Sequence, residues 1–324
     1  MRPLRMILVA LPATILLARA PGERANGQSV EIDRPSPVSQ PQPSLPEGPQ
    51  PVAPEAEATD LPLSVDAIIE PATASPFGGF LGYRYESSSF DWILGEGDQL
   101  GTFSLVWEHY QRSGVNHGIG VGLEFHFLNG PVRTDMPPRV FDFSIGYQHR
   151  DRLGVFGYDA AVSVVASSDF EGNSREGIRL PSHAVGFLAV CPTAELVFGI
   201  DYLDRGDVKL LPVVGLIAVP HPDVRLEVVF PRPRLVLRLT DTHRLYVAGE
   251  LGGGTWAVER TTMVDDLATY RDLRLSVGLQ CLKEDHRRSA LEIGYLFDRR
   301  LEYTSGNGDY RPNETAMIRL VETF

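Results

Sequence analysis

The stretch whose reading decides the fold is the last ten residues, Thr315-Ala316-Met317-Ile318-Arg319-Leu320-Val321-Glu322-Thr323-Phe324. Ala316, Ile318, Leu320 and Phe324 share one parity, whereas Arg319 and Thr323 take the other. Side chains of a strand point alternately to opposite faces. The spacing therefore predicts a strand with one apolar face and one mixed face. Glu322 interrupts the apolar row.

The same period recurs upstream. Ile119, Val121, Leu123, Phe125 and Phe127 alternate with Gly120, Gly122, Glu124 and His126. Phe141, Phe143, Ile145 and Tyr147 alternate with Asp142, Ser144, Gly146 and Gln148. Leu291, Ile293, Tyr295 and Phe297 alternate with Glu292, Gly294 and Asp298. Each face stays consistent over about ten residues, the length a tilted strand needs to cross a bilayer. Strands of soluble proteins run to about five or six. The polar faces combine glycine with charge, and Phe127, Tyr147, Tyr202 and Phe297 stand near strand ends, as interfacial aromatics do. A chain that ends on an aromatic residue closing such a strand resembles bacterial outer-membrane β-barrels. That resemblance implies that Phe324 is part of the signal read by the barrel-assembly machinery. The soluble alternative is a sandwich or lipocalin-like barrel with its apolar face inward.

The predicted fold class is all-β: a transmembrane antiparallel β-barrel of about fourteen strands, within roughly 12–16, preceded by a disordered Pro-rich segment. Early strands are predicted at 78–87, 100–110, 117–127, 139–149 and 153–166, and the last at 314–324. Long connections (88–99, 128–138, 167–181) alternate with short ones (150–152, 192–193). Barrels of this kind have long outer loops and short periplasmic turns, so both termini are placed in the periplasm and the strand number is even. Fourteen is reached by reading 223–239 as one strand kinked at Pro231 and Pro233. Residues 243–251 and 254–262 then count as two strands about a Gly252-Gly253-Gly254 turn.

The amino-terminal segment reads as a secretion signal. Arg2 and Arg5 precede an apolar run from Met6 to Leu17 that is too short to span a bilayer. Cleavage after Gly27 gives three parts: a signal peptide at 1–27, a Pro-rich periplasmic linker at 28–76 and a barrel at 77–324. Proline recurrence from Pro35 to Pro76 prevents that linker from burying a core. The implied location is the cell outer membrane, with its lipid as partner. A net charge of −12 argues against nucleic acid as a partner. The two cysteines, Cys191 and Cys281, are too few for a disulfide framework and wrongly spaced for zinc. Their places on the sixth and twelfth strands put them almost across the barrel, so two free thiols are expected.

The second half resembles a family of uncharacterised planctomycete outer-membrane proteins. The likeness rests on Asp204-Arg205-Gly206-Asp207-Val208-Lys209-Leu210-Leu211-Pro212, Phe230-Pro231-Arg232-Pro233-Arg234 and Gly249-Glu250-Leu251-Gly252-Gly253-Gly254-Thr255-Trp256. Pro220-His221-Pro222-Asp223-Val224-Arg225 and Glu292-Ile293-Gly294-Tyr295-Leu296-Phe297-Asp298-Arg299 complete it. It covers roughly the last 120 residues and implies compartment and architecture, without substrate or catalytic residues.

No nucleophile elbow, phosphate loop or H-E-x-x-H pattern is present, so no catalytic residue, cofactor or metal is expected. His126 stands alone on a polar strand face and reads as a solvated or hydrogen-bonded lumen histidine rather than a metal ligand. The informative pattern is charge on the inward faces. Glu124, Asp142, Asp159 and Asp201 come from early strands; Arg232, Arg234, Arg238, Arg244 and Arg274 come from later ones. An acidic wall facing a basic one would orient small polar solutes in a porin-like channel or binding barrel. Glu250, Asp272 and Glu292 lie among the arginines and could instead seal the lumen with salt bridges. A closed structural barrel is therefore the alternative, and a lipid-modifying enzyme the third reading.

Overall fold

The computed structural model describes residues 87–95, 99–112, 116–130, 134–283 and 287–323. The chain divides into two units, Met1–Glu57 and Ala58–Phe324, and the first lies wholly outside the described residues. The signal peptide, the Pro-rich linker and Phe324 also fall outside them, as does nearly all of the strand expected at 78–87.

The described residues form a closed antiparallel barrel of fourteen strands. They are β1 Ser87–Ile93, β2 Gly101–Arg112, β3 His117–Asn129, β4 Arg139–Leu153, β5 Phe156–Ser168, β7 Ser182–Cys191, β8 Ala194–Tyr202, β9 Leu210–His221, β10 Val224–Phe230, β11 Arg234–Arg238, β12 His243–Glu259, β13 Asp265–Leu282, β14 Arg288–Tyr303 and β15 Thr315–Thr323. A two-residue piece, β6 Ile178–Arg179, pairs only with β5. Neighbours in the ring follow chain order, and β1 closes on β15 through Asp91↔Arg319 and its flanking pairs. Ser87 and Thr323 pair directly, so both ends of the barrel chain lie at one rim, here called the terminal end.

The count of fourteen survives two opposite corrections. Residues 224–238 are a hairpin rather than one kinked strand: Glu227 pairs with Arg234 and Val224 with Leu237. Pro231 and Pro233 lack the N–H that a continuing ladder would need. Conversely, Gly252-Gly253-Gly254 is the interior of β12, paired to Asp272, Arg271 and Tyr270 of β13. These glycines are required by close approach. A Cβ on Gly252 would lie 2.1 Å from Asp272 Oδ1, and Gly253 has φ +97° with Tyr270 O in the way. The first strand is also corrected: β1 is Ser87–Ile93, and all of it but Ser87 falls in the expected loop 88–99.

The apolar rows face outward, while β7–β10 also bury a second apolar set, Val185, Phe187, Val197, Val213, Ile217 and Val229, on the inner side. Ile145, Val228 and Ile293 are 56%, 61% and 61% exposed, whereas Asp272 and Asp159 are buried at 0% and 1%. This overturns the soluble arrangement, in which the apolar row would be the buried one. On β3 and β4 the outer face carries packed aromatics, with Phe125 against Phe141 at 5.6 Å, and Phe170 from the connection after β5 packs on Phe143 at 5.2 Å.

The wall is uneven. β10 and β11 have 7 and 5 residues, whereas β12 and β13 have 17 and 18. β12 above Ala248 therefore has no partner on β11, and a bare edge would leave its backbone groups unsatisfied. Arg205 covers it by donating to the carbonyl of Gly252 at 3.0 Å, and it reaches the Tyr270 carbonyl of the neighbouring β13 at 3.2 Å. Higher up, β5 closes directly on β12 through the parallel pair Ser168↔Ala257. Asp169 then accepts from Glu259 N at 2.8 Å. The ring thus shortens towards the loop end, leaving β7–β11 below.

Candidate functional site

The lumen holds a cavity of about 640 Å³. It runs from the terminal end, where Ser87, Gln280 and Thr323 line it, up to Leu100, Trp256 and Leu301. At that upper level the interior is apolar. Leu100, Val140, Trp256, Val258, Ala268, Tyr270, Leu301 and Tyr303 form one buried cluster, backed by Leu128, Met136 and Tyr310. Hydrogen bonds cross the lumen at this height. Trp256 Nε1 on β12 donates to Asp142 Oδ2 on β4 at 2.7 Å, and Tyr303 OH donates to Thr134 O at 2.6 Å. Arg299 donates to the carbonyl of Leu100.

One wall below the cluster is acidic. Register places Ser104 of β2 opposite His126 of β3, and Glu124 of β3 opposite Asp142 of β4. His126 Nδ1 lies 2.7 Å from Ser104 Oγ, and His126 Nε2 lies 3.1 Å from Asp142 Oδ2 and 3.5 Å from Glu124 Oε2. Ser167 donates to the other oxygen of Asp142. Glu108 stands two residues past Val106, the partner of Glu124, on the same face. Its Oε2 accepts from Ser87 Oγ at 2.8 Å, and its buried Oε1 has no partner. A serine–histidine–aspartate row invites an acyl-transfer reading. Among the described residues, however, Ser104 sits in a ladder paired on both sides, to Asp91 and His126. Backbone N–H groups committed to strand pairing offer no oxyanion hole.

The other wall is basic but neutralised on the spot. Arg274 binds Asp272 at 2.7 Å and Glu250 at 3.2 Å. Arg319 binds Asp91, Glu250 and Glu292 at 2.9, 3.1 and 3.3 Å. Arg234 lies over the Tyr246 ring at 4.1 Å, and Tyr246 OH donates to Glu292 at 2.5 Å.

Of the residues expected in the lumen, Glu124, Asp142, Asp201, Arg232, Arg234 and Arg274 line the cavity. Three do not. Asp159 is enclosed by Gln148, His183 and Arg150, within the wall rather than facing across it. Arg238 sits at the terminal rim, bound to Asp223 at 2.8 Å. Arg244 is opposite Arg238 in register and equally low. Parity gives the face of a residue but not its height along the axis, which is why these arginines were misplaced. Sequence reasoning missed Ser104, Glu108 and Trp256 as site residues, although their inward parity was available. Cys191 and Cys281 are both free.

At the loop end, Arg260 binds Asp135 at 2.9 Å and stacks on Tyr303 at 3.8 Å, and Thr261 N donates to Asp135 at 3.2 Å. The Thr261 hydroxyl and the Arg260 guanidinium hold the Asp135 carboxyl below the usual carboxylate range. A depressed folded pKa gives stability that is present above the unfolded value of about 3.9 and lost as pH falls through the folded value. Limited proteolysis at 130–138 should therefore accelerate below about pH 4. In Asp135→Asn this acid-dependent step should disappear and the loop should be cut readily at neutral pH. An unchanged acid profile in the variant would mean that Asp135 does not fasten the two loops.

A scan against protein-family models finds no match, nor does a search of curated proteins. Among solved structures, the chain is similar to a KdgM porin at 9% identity and TM-score 0.37, covering 74% of this chain and 99% of that one. It is similar to a NanC porin at 9% identity and TM-score 0.39, covering 74% and 98%. Outer membrane phospholipase A from Escherichia coli matches at 10% identity and TM-score 0.33, covering 75% and 94%. At these scores the likenesses carry no argument about activity.

Proposed function

We propose that the chain is an outer-membrane β-barrel whose lumen is a binding chamber for small polar solutes, closed to free passage at the loop end. The observation that carries this reading is the buried apolar cluster around Trp256 and Tyr303, set above a cavity of about 640 Å³ whose lining includes Glu124, Asp142, Arg274 and Arg319. That volume is in the range of small-molecule sites, about 300–1,000 Å³. The transverse-field pore is less well supported, because Arg274 and Arg319 already spend their charge on neighbouring carboxylates. Lipid as the outer solvent is supported by the continuous outward apolar face.

The membrane part is tested by Ile293→Arg, which puts a charge on the outward face. Insertion into lipid vesicles should weaken by about 2–4 kcal/mol for a site near the midplane. Unimpaired insertion would overturn the lipid-facing assignment. The chamber part is tested by the purified wild type in a planar bilayer, where no stepwise conductance is expected. Regular open steps would restore the channel.

A further inference from the structure

We infer that Glu124, His126 and Asp142 form a divalent transition-metal site of the zinc class in the lumen wall. Four observations carry it. First, the three side chains bring one nitrogen and two carboxylates together, with their ligand atoms all within 4.8 Å of one another. The spacings from His126 Nε2, 3.1 and 3.5 Å, bracket the ~3.3 Å that neighbouring ligands adopt around a tetrahedral ion with bonds of about 2.0–2.1 Å.

Second, the ligands are oriented by groups outside the set. Ser104 Oγ takes the Nδ1 side of His126, which turns Nε2 towards the two carboxylates. Such a partner on the far nitrogen is the usual companion of a metal-bound imidazole. Trp256 Nε1 and Ser167 Oγ fix Asp142 in turn. Third, His126 Nε2 meets one oxygen of each carboxylate, Asp142 Oδ2 and Glu124 Oε2, so a dication at that point would be shared by all three groups. Fourth, and independently, Glu108 keeps a buried oxygen without a partner beside Glu124. An uncompensated buried carboxylate oxygen is costly, and a dication next to it lowers that cost.

The donor set argues for the metal class. One imidazole with two carboxylates suits zinc better than calcium or magnesium, which favour all-oxygen shells. Three protein ligands leave a fourth position towards the cavity, the arrangement of an open rather than a closed site. A solute with a carboxylate or hydroxyl could complete the shell there.

This inference rests on the chamber reading only for access from the cavity. Its test is zinc ion alone, titrated calorimetrically into the folded, chelator-treated barrel, with folding checked by heat-modifiable gel mobility. The wild type should take up one equivalent, with calcium and magnesium failing to compete. Glu124→Gln and His126→Gln should each weaken binding more than about tenfold, and Ser104→Ala, acting through ring orientation, by about 10–100-fold. Cobalt in place of zinc should give visible bands that His126→Gln alters. Equal zinc binding by the wild type and a folded Glu124→Gln or His126→Gln overturns the site, as does a wild type that binds none. Conductance is measured separately. A conducting barrel that binds zinc at these residues refutes the chamber and keeps the metal site. A silent barrel without zinc does the reverse.

Discussion

Replacing Arg319 with Met is expected to cost the barrel about 3–5 kcal/mol, because it strands carboxylates that share this cation inside the wall. Arg319 reaches Asp91 across the seam where β15 meets β1, and Glu250 and Glu292 on the far side of its own strand. Arg274 still serves Glu250, so Asp91 and Glu292 are the groups most exposed to the loss. Asp91 already has one buried oxygen without a partner. The methionine fills much of the volume but returns no hydrogen bond. The measurement is the urea midpoint of folded, heat-modifiable protein in detergent. Arg319→Lys keeps the charge but not the forked geometry and should fall between the two. A companion variant, Arg319→Met with Asp91→Asn and Glu292→Gln, removes the stranded charges and should recover part of the loss. If Arg319→Met unfolds at the wild-type midpoint, the seam is held by its ladder alone and the ion pairs contribute nothing net.

The second large effect is expected at the loop end. Trp256→Ala deletes a ring that is 8% exposed, leaves a void beside Tyr303 and Leu301, and removes the donor to Asp142. Loss of a buried Trp side chain costs about 3–5 kcal/mol. Trp256→Phe keeps most of the apolar contact and should cost less. The larger consequence is for passage. If the cluster closes the lumen, Trp256→Ala combined with Leu301→Ala and Tyr303→Ala should convert a silent barrel into one with stepwise conductance. Both readouts come from the same preparation: heat-modifiable mobility reports the fold, and the planar bilayer reports the opening. A triple variant that inserts normally and stays silent would show that the cluster is not what closes the lumen.

Much of the barrel is legible in the sequence. β7 was expected at 182–191 and is Ser182–Cys191, and the apolar rows on β3, β4 and β14 face outward as parity requires. The errors have physical causes. β1 was missed because Ser87-Ser88-Ser89 gives no alternation and only Phe90 and Trp92 mark the outer face. Pro231 and Pro233 were read as a kink and Gly252–Gly254 as a turn. Proline and glycine punctuate turns, but glycine also appears wherever a side chain or backbone must pass close. Here Asp272, Arg274 and Tyr270 press on β12 from β13, and no local pattern on β12 records that.

The sequence by itself determined the faces and the parity of ends. A strand alternates its side chains with period two whatever surrounds it, so the apolar row and the even strand number could be read residue by residue. It also placed acidic residues on early strands and arginines on later ones. Tertiary structure alone decided height and closure. The stagger of pairing between strands sets which inward residues share a level, and it put Arg238 and Arg244 at the terminal rim while bringing Ser104, His126 and Asp142 into one row. The short β10–β11 hairpin let β5 close on β12 above it, and side chains of β4, β12, β13 and β14, with Leu100, Met136 and Tyr310 from between strands, then filled the mouth. Those contacts join residues more than a hundred positions apart, as Trp256 and Asp142 are, and their energy exists only once the ring has closed.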